Sequence, residues 1–457
     1  MSRSARFPRW RGLAAAALAV WLAGCGGGGG GGDDDPPLAG TCSVTSQKRW
    51  LSDYMNEWYL WSTWVQPQPV PADASLDTYF RSLLYTGGVA GVPADRWSGS
   101  QPTQSYNLYY GEGQTMGYGL AVAGIEVGGR QDDPPLYVRL VEPKSDAGLQ
   151  GIKRGERVLA LNGLPVGPLI AANDFSLLSP AEEGQALRVT LRNAAGADRT
   201  VTLTAKVFTL TPVPTALTLA TPGGRKIGYV VLNQMISQAQ PQLEMAFAGF
   251  KAQGLQDLVL DLRYNGGGLV SVAALVGSLV GGSRTAGQTF ATLAYNDKRA
   301  ATNNQTFPFN NNTWALGLPR VYVLAGSRTC SASEQVVNAL QPFLDVVLVG
   351  GTTCGKPVGF LPADNGCGTT YSVVNFESRN ALGRGAYYDG FNPTCPAEDG
   401  WTQPLGSVSE RLLATAMGHA DSGRCPAAAG APVKPLASRP GRLLGIEPGE
   451  RQDMIGR

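Results

Sequence analysis

Apolar positions recur along this chain with spacings that change twice. Between residues 43 and 100, Trp50, Leu51, Tyr54, Met55, Trp58 and Tyr59 return at helical spacing, which predicts a helix with an aromatic stripe against a core. The loop PQPVPAD separates it from a second amphipathic helix in LDTYFRSLLY. From 103 to 207 the period shortens. LYVRLVEP, RVLALNG, ALRVTLRN and RTVTLTAKV are short β-type runs divided by Gly, Asn and Asp turns, and they predict a compact β-rich unit. From 208 to 425 strands and helices alternate. KIGYVVLN, LQDLVLDL, PRVYVLAG and VVLVGG read as strands; QPQLEMAFAGFKAQG, LVSVAALVGSLV and SASEQVVNALQPF read as helices. That order predicts an α/β core with a largely parallel sheet, in which the apolar run LQDLVLDL is buried on both faces. Residues 428–457 show little periodicity and several Pro and Gly, so disorder is expected there.

The first residues follow a different rule. Arg3, Arg6, Arg9 and Arg11 precede the apolar run GLAAAALAVWLAG, which is short for a bilayer span and suits the apolar region of a signal peptide. Its end, Leu22-Ala23-Gly24-Cys25, resembles the bacterial lipobox. That implies a signal peptide over 1–24 and lipidation at Cys25, with an ordinary secretory cleavage site as the alternative. Residues 25–41 carry GGGGGGGDDDPP, a flexible tether. The expected location is the cell envelope, lipid-anchored and facing the periplasm; Gly26 after Cys25 leans toward the outer membrane. The formal net charge is +2, and losing the four arginines turns it slightly negative, so nothing electrostatic calls for a nucleic-acid partner. Six further cysteines, Cys42, Cys330, Cys354, Cys367, Cys395 and Cys425, are an even set that suits disulfides in an exported chain. No Cys-x-x-Cys or Cys/His spacing suggests zinc, and no metal or cofactor is expected.

The stretch TCSASEQVVNAL supports two readings of Ser331. With Glu334 three residues on, it is a capping box. At a strand-to-helix turn it is also where hydrolases place a nucleophile. A serine nucleophile needs a base. The one histidine, His419, stands near the end of the last helical pattern in a surface-like context, which disfavours a Ser-His-Asp triad. Lys356, in GGTTCGKPVGF just after the strand VVLVG, is the better candidate. A lysine base must be neutral, so burial must lower its pKa. The strand–helix–strand unit from Ser331 to Lys356 returns both residues to one rim of the sheet, where ligands bind in such folds. In LDLRYNGGGL three glycines follow a buried strand, so their amides can approach a substrate closely. With the Ala332 amide at a helix N-terminus, they can form an oxyanion hole. A phosphate loop is discounted because no Gly-Lys-Ser/Thr follows.

Two resemblances now become specific. SDAGLQGIKRGERVLALNG resembles the PDZ domain of bacterial proteases, and Gly117, Tyr118, Gly119 and Leu120 resemble its carboxylate-binding loop, where backbone amides and strand addition capture a peptide end. In order along the chain stand Asp95-Arg96-Trp97-Ser98, this PDZ-like region, DLRYNGGG, and Ser-Ala-Ser-Glu followed by Gly-Lys. Together they resemble the S41 family of serine peptidases, the carboxyl-terminal processing peptidases. The resemblance implies a multi-domain α/β fold: a small N-terminal helical domain (42–102), an inserted PDZ-like β-rich domain (103–207) and a ClpP/crotonase-like α/β catalytic core (208–427). It implies Ser331 as nucleophile, Lys356 as base, and the amides of Ala332 and Gly267, with Gly266 and Gly268 as alternates, as the oxyanion hole. Substrates would be proteins or peptides with apolar C-termini. Many members orient the lysine with a Gln four residues on; here that position is Phe360, which leaves Thr352, Thr353 or a backbone carbonyl to hold the amine. Contact between Ser331 and Lys356 would bring Cys330 and Cys354 within disulfide reach; Cys367 is then expected with Cys395, and Cys42 with Cys425. The competing function is a catalytically inactive binding scaffold that keeps only peptide capture.

Overall fold

A computed structural model describes residues 40–66, 71–127, 136–426, 441–443, 451 and 453–456. The signal segment, Cys25 and most of the tether lie outside the described residues. No described helix is long and apolar enough to cross a membrane.

The core is built on a six-stranded sheet. Lys226–Val231, Asp257–Asp261, Arg320–Ala325 and Asp345–Gly350 lie side by side and parallel. Thr215–Ala220 adds an antiparallel edge, and Cys395–Pro396 adds a parallel strand at the other edge. All five residues of Asp257–Asp261 are buried, as an apolar run between two covered faces requires. Helices Ala239–Gln253, Val270–Gly281 and Ala332–Leu340 cover one face through Leu243, Phe247, Val276, Val336 and Val337. Helix Arg411–Ser422 covers the other, packing Leu413 and Met417 on Tyr229, Tyr322 and Leu324. The predicted strands and helices of this region form close to where the pattern puts them.

A second six-stranded sheet runs in the order Gly268–Leu269, Met454–Ile455, Val358–Phe360, Val374–Arg379, Thr289–Tyr295, Gln305–Pro308. The N-terminal helices dock beside it. Ser43 caps helix Val44–Trp58 by accepting from the Ser46 amide. The aromatic stripe is buried, with Trp50 stacked on Tyr54 at 5.2 Å and tilted against Tyr371. Asp95 clamps this unit to the sheet: it accepts from Tyr59 Oη (2.8 Å) and Ser98 Oγ (2.6 Å), while Ser98 Oγ accepts from the Val374 amide (3.0 Å).

The β-rich unit is an antiparallel sheet of Leu120–Ala123, Tyr137–Val141, Arg157–Leu161, Ala186–Arg192 and Asp198–Thr204 around its own apolar core. Polar and aromatic contacts join it to the α/β core, Tyr137 stacking on Trp401. Arg154 donates to Tyr264 Oη (2.7 Å) and Asp399 (3.2 Å), and Gln234 donates to Glu142 (2.8 Å).

Three expectations change. The segment 428–457 is not wholly without structure: Gly441–Leu443 pairs with Ile125–Val127, and Met454–Ile455 is a buried strand of the second sheet. Of the disulfides, Cys330–Cys354 forms as expected, with Cα atoms 5.1 Å apart. The other two exchange partners, giving Cys42–Cys367 and Cys395–Cys425. The reason is docking. The first helix rests on the turn at Asn365, where Asn365 Nδ2 reaches Gln47 Oε1 at 2.9 Å, while Cys395 lies on the sheet edge beside the end of the last helix. Finally, His419 is buried rather than exposed, with Nδ1 3.1 Å from Tyr322 Oη on the face of the sheet opposite helix Ala332–Leu340.

Candidate active site

Ser331 precedes helix Ala332–Leu340 with φ of +60°, a conformation that side-chain-bearing residues seldom adopt and that concentrates at functional turns. The turn is held from several sides. The Glu334 carboxylate accepts from the amides of Ser331 (3.0 Å), Gly355 (2.8 Å) and Lys356 (2.8 Å) and from Thr353 Oγ1 (2.5 Å). One buried carboxylate therefore joins the serine turn to the lysine loop, and the Cys330–Cys354 bridge joins them again covalently. Burial pushes the Glu334 carboxyl up, against the pull of these donors. Ser331 Oγ is buried and has no hydrogen-bond partner among the described residues.

Lys356 is 1% exposed. Burial pushes its ammonium down to about 8, against the Asp453, Asp95 and Glu334 carboxylates, which favour the charged form. Its Nζ lies 3.8 Å from the centroid of the Phe360 ring. Phe360, which departs from the usual Gln, is thus the residue under the amine. Thr353 instead holds Glu334, and Thr352 donates to Asn392. Ser331 and Lys356 share a corner of the fold but do not hydrogen-bond each other.

The glycine run enters the same corner through Asn265. The Asn265 carbonyl accepts from the Cys330 amide (3.2 Å) and Ser333 Oγ (3.0 Å), and its side chain donates to Leu232 O (2.8 Å). A Cβ on Gly267, at φ +105°, would stand 2.8 Å from Ala332 N and 2.2 Å from Asp453 O, so only glycine fits. Gly267 and Ala332 are thus neighbours. The Gly267 amide, however, donates to Asn265 Oδ1 (2.8 Å), and it is the Gly268 amide that meets a peptide carbonyl, that of Asp453 (2.5 Å). Neighbouring residues of the motif are structural: Arg263 forms a two-pronged ion pair with Glu410, whose side chain caps helix Arg411–Ser422.

Gly117, Tyr118, Gly119 and Leu120 line a cavity of about 560 Å³ together with Gly266, Gly267, Arg139, Arg328 and Arg451. The loop of the β-rich unit and the glycine run therefore open onto one space. Gly119, at φ +73°, has no room for a Cβ, which would fall 2.0 Å from the Ser145 side chain.

Sequence reasoning missed the hub role of Glu334, the bridging role of Asn265 and the presence of Asp453. The first two carry a signal, since both lie inside quoted motifs; nothing local marks Asp453. Among the described residues, two clusters have metal-ligand types, Cys330/Glu334/Cys354 and Cys395/His419/Cys425, but in each both sulfurs are spent in a disulfide.

Known proteins resemble parts of this chain in sequence and fold. Residues 46–99 match the peptidase S41 N-terminal domain and residues 226–395 match peptidase family S41. The chain is similar to the carboxyl-terminal-processing protease of Picosynechococcus sp. (27% identical over 266 residues, 57% of this chain and 60% of the relative). It is also similar to carboxyl-terminal-processing peptidase 1, chloroplastic, of Arabidopsis thaliana (30% over 213 residues, 46% and 42%). The match thus spans less than two thirds of either relative. A crystal structure described as an S41 protease from Bacteroides fragilis shares the fold, with TM-score 0.65 at 24% identity over 82% of this chain and 97% of that one. This chain carries the domains of peptidase family S41 and is a homologue of the carboxyl-terminal-processing proteases.

Proposed function

We propose that the protein is a serine endopeptidase working through a Ser331–Lys356 dyad. Ser331 Oγ attacks a peptide carbonyl, the neutral Lys356 amine takes its proton, and the amine later returns a proton to the leaving nitrogen. The Ala332 amide and an amide of the Gly266–Gly268 run hold the oxyanion, with Gly267 leaving Asn265 or Gly268 acting in its place. Water then hydrolyses the acyl-enzyme. The observation that carries this reading is the pairing of an unpartnered, buried Ser331 Oγ on a strained turn with a buried lysine tuned to about 8, both tied to Glu334. Proton transfer requires the amine to swing from the Phe360 ring onto Ser331. The β-rich unit acts as a PDZ-like domain that takes substrate C-termini at Gly117–Leu120, and Cys25 anchors the chain to the envelope membrane, facing the periplasm.

Cleavage of an unfolded protein such as β-casein tests the dyad. Ser331→Ala and Lys356→Ala should each lose at least about 10³-fold in rate. Wild-type activity should climb as pH rises through about 8, because only the neutral amine is a base. A rate that persists in Ser331→Ala would refute the assignment. The position of Lys356 over Phe360 favours a second reading, an inactive peptide-binding scaffold; it predicts no cleavage by wild type at any pH, with peptide capture intact.

A further inference from the structure

The second sheet has an unusual member. Met454–Ile455 lies between Gly268–Leu269, which begins at the last glycine of the run, and Val358–Phe360, which follows Lys356. The Asp453 amide donates to Gly266 O (3.0 Å), the Asp453 carbonyl accepts from Gly268 N (2.5 Å), and the Gly456 amide donates to Phe360 O (3.0 Å). Met454 and Ile455 are fully buried. Without this segment the two flanking strands would face each other across a gap one strand wide, each with a row of unsatisfied backbone groups. Such edges recruit an extended peptide. The gap runs directly past Gly267 and Ala332, since the Asp453 carbonyl lies 2.2 Å from where a Gly267 Cβ would stand and that Cβ would be 2.8 Å from Ala332 N.

We propose that this slot is a strand-addition site for substrate, and that residues 453–456 of the same chain are its resident ligand, which an incoming strand must displace. The inference rests on the peptidase reading for the word substrate, but not for the binding itself. The resident sequence describes the ligand class: an extended peptide with a carboxylate side chain followed by two adjacent apolar residues and a small one. The carboxylate is recognised, because Tyr110 Oη donates to Asp453 Oδ2 (2.5 Å). The segment is also tethered upstream, with Arg451 over the Tyr109 ring at 4.2 Å and donating to Gln101 Oε1 (2.7 Å). Asp453 acts on the dyad as well. Burial drives the Lys356 ammonium down, and the Asp453 carboxylate is first among the groups that pull it back up. The resident strand thus fills the slot and favours the charged, non-basic form of the lysine.

A chain ending at Glu450 tests this, read by fluorescence anisotropy with a labelled peptide of residues 451–457. The shortened chain should bind the peptide at least about tenfold more tightly than the full chain, whose slot is filled. It should also cleave β-casein several-fold faster, and added peptide should reverse the gain. Full-chain Met454→Ser/Ile455→Ser, which weakens the resident strand in place, should shift binding the same way; it decides the matter if the shortened chain does not fold. Equal peptide binding by all chains, or none by either folded variant, overturns the proposal. Differential binding with no cleavage by any chain upholds the slot and refutes the peptidase reading; cleavage with no binding difference does the reverse.

Discussion

The β-rich unit and the Ser331 corner are held together by opposite means. The β-rich unit closes around Val138, Val158, Leu161, Val189, Leu191 and Leu203, an apolar centre to which strand Ala186–Arg192 contributes every second residue. The Ser331 corner buries Glu334, Lys356, Asn265, Ser333 and Ser378 instead. An apolar centre tolerates small changes in shape, since volume and pattern carry most of its stability. A buried polar corner does not, because each lost partner leaves a group without water or a substitute. The contrast suggests that the α/β core spends stability to hold chemistry in place, whereas the β-rich unit spends little.

The sharpest way to break this contrast is Glu334→Ala. It strips acceptors from three backbone amides and Thr353, and should cost roughly 3–5 kcal/mol in thermal or denaturant unfolding, with loss of activity. A loss under about 1 kcal/mol would show that Cys330–Cys354 alone braces the turn. Lys356→Met should act in the other direction. At pH 7 the lysine is charged both folded and unfolded, so the folded state bears the whole cost of burying it. A depression from 10.5 to about 8 corresponds to roughly 3 kcal/mol, so the variant should be inactive yet more stable by up to that amount. Wild type should regain stability relative to the variant as pH rises from about 8 toward 10.5, where folding no longer has to retain the proton. Calorimetry across that window checks the sign. Arg154→Ala is the mildest change. It cuts the link from the β-rich unit to Tyr264 and Asp399 and should cost about 1–3 kcal/mol. It should leave labelling of Ser331 by a fluorophosphonate within about twofold at saturating reagent, whereas Glu334→Ala should abolish labelling.

Much of the α/β core was legible because its strands are continuous apolar runs. LQDLVLDL, PRVYVLAG and VVLVGG announce buried parallel strands from composition alone. The part of the second sheet next to the site was not, because its strands are short: Gly268–Leu269 and Met454–Ile455 have two residues each and Val358–Phe360 three, too few for any period to appear. The disulfide partners of Cys42 and Cys395 failed for a related reason. Their pairing depends on where the first and last helices dock, which sequence separation does not reveal.

At the site itself, the sequence alone determined which residues come together: Ser331 at a helix start, Lys356 one strand later, and a glycine run after a buried strand. Motif chemistry and chain order suffice for that, because each element is local and its neighbours follow from a parallel sheet. Only the tertiary structure decided how they are held. It put Glu334 between two backbones, Phe360 beneath the amine, and Asp453, far along the chain, against Gly268 and Tyr110. Phe360 is only four residues from Lys356, but the Glu334 and Asp453 contacts join segments 22 to 343 residues apart, and no local pattern encodes which distant groups will share one desolvated corner.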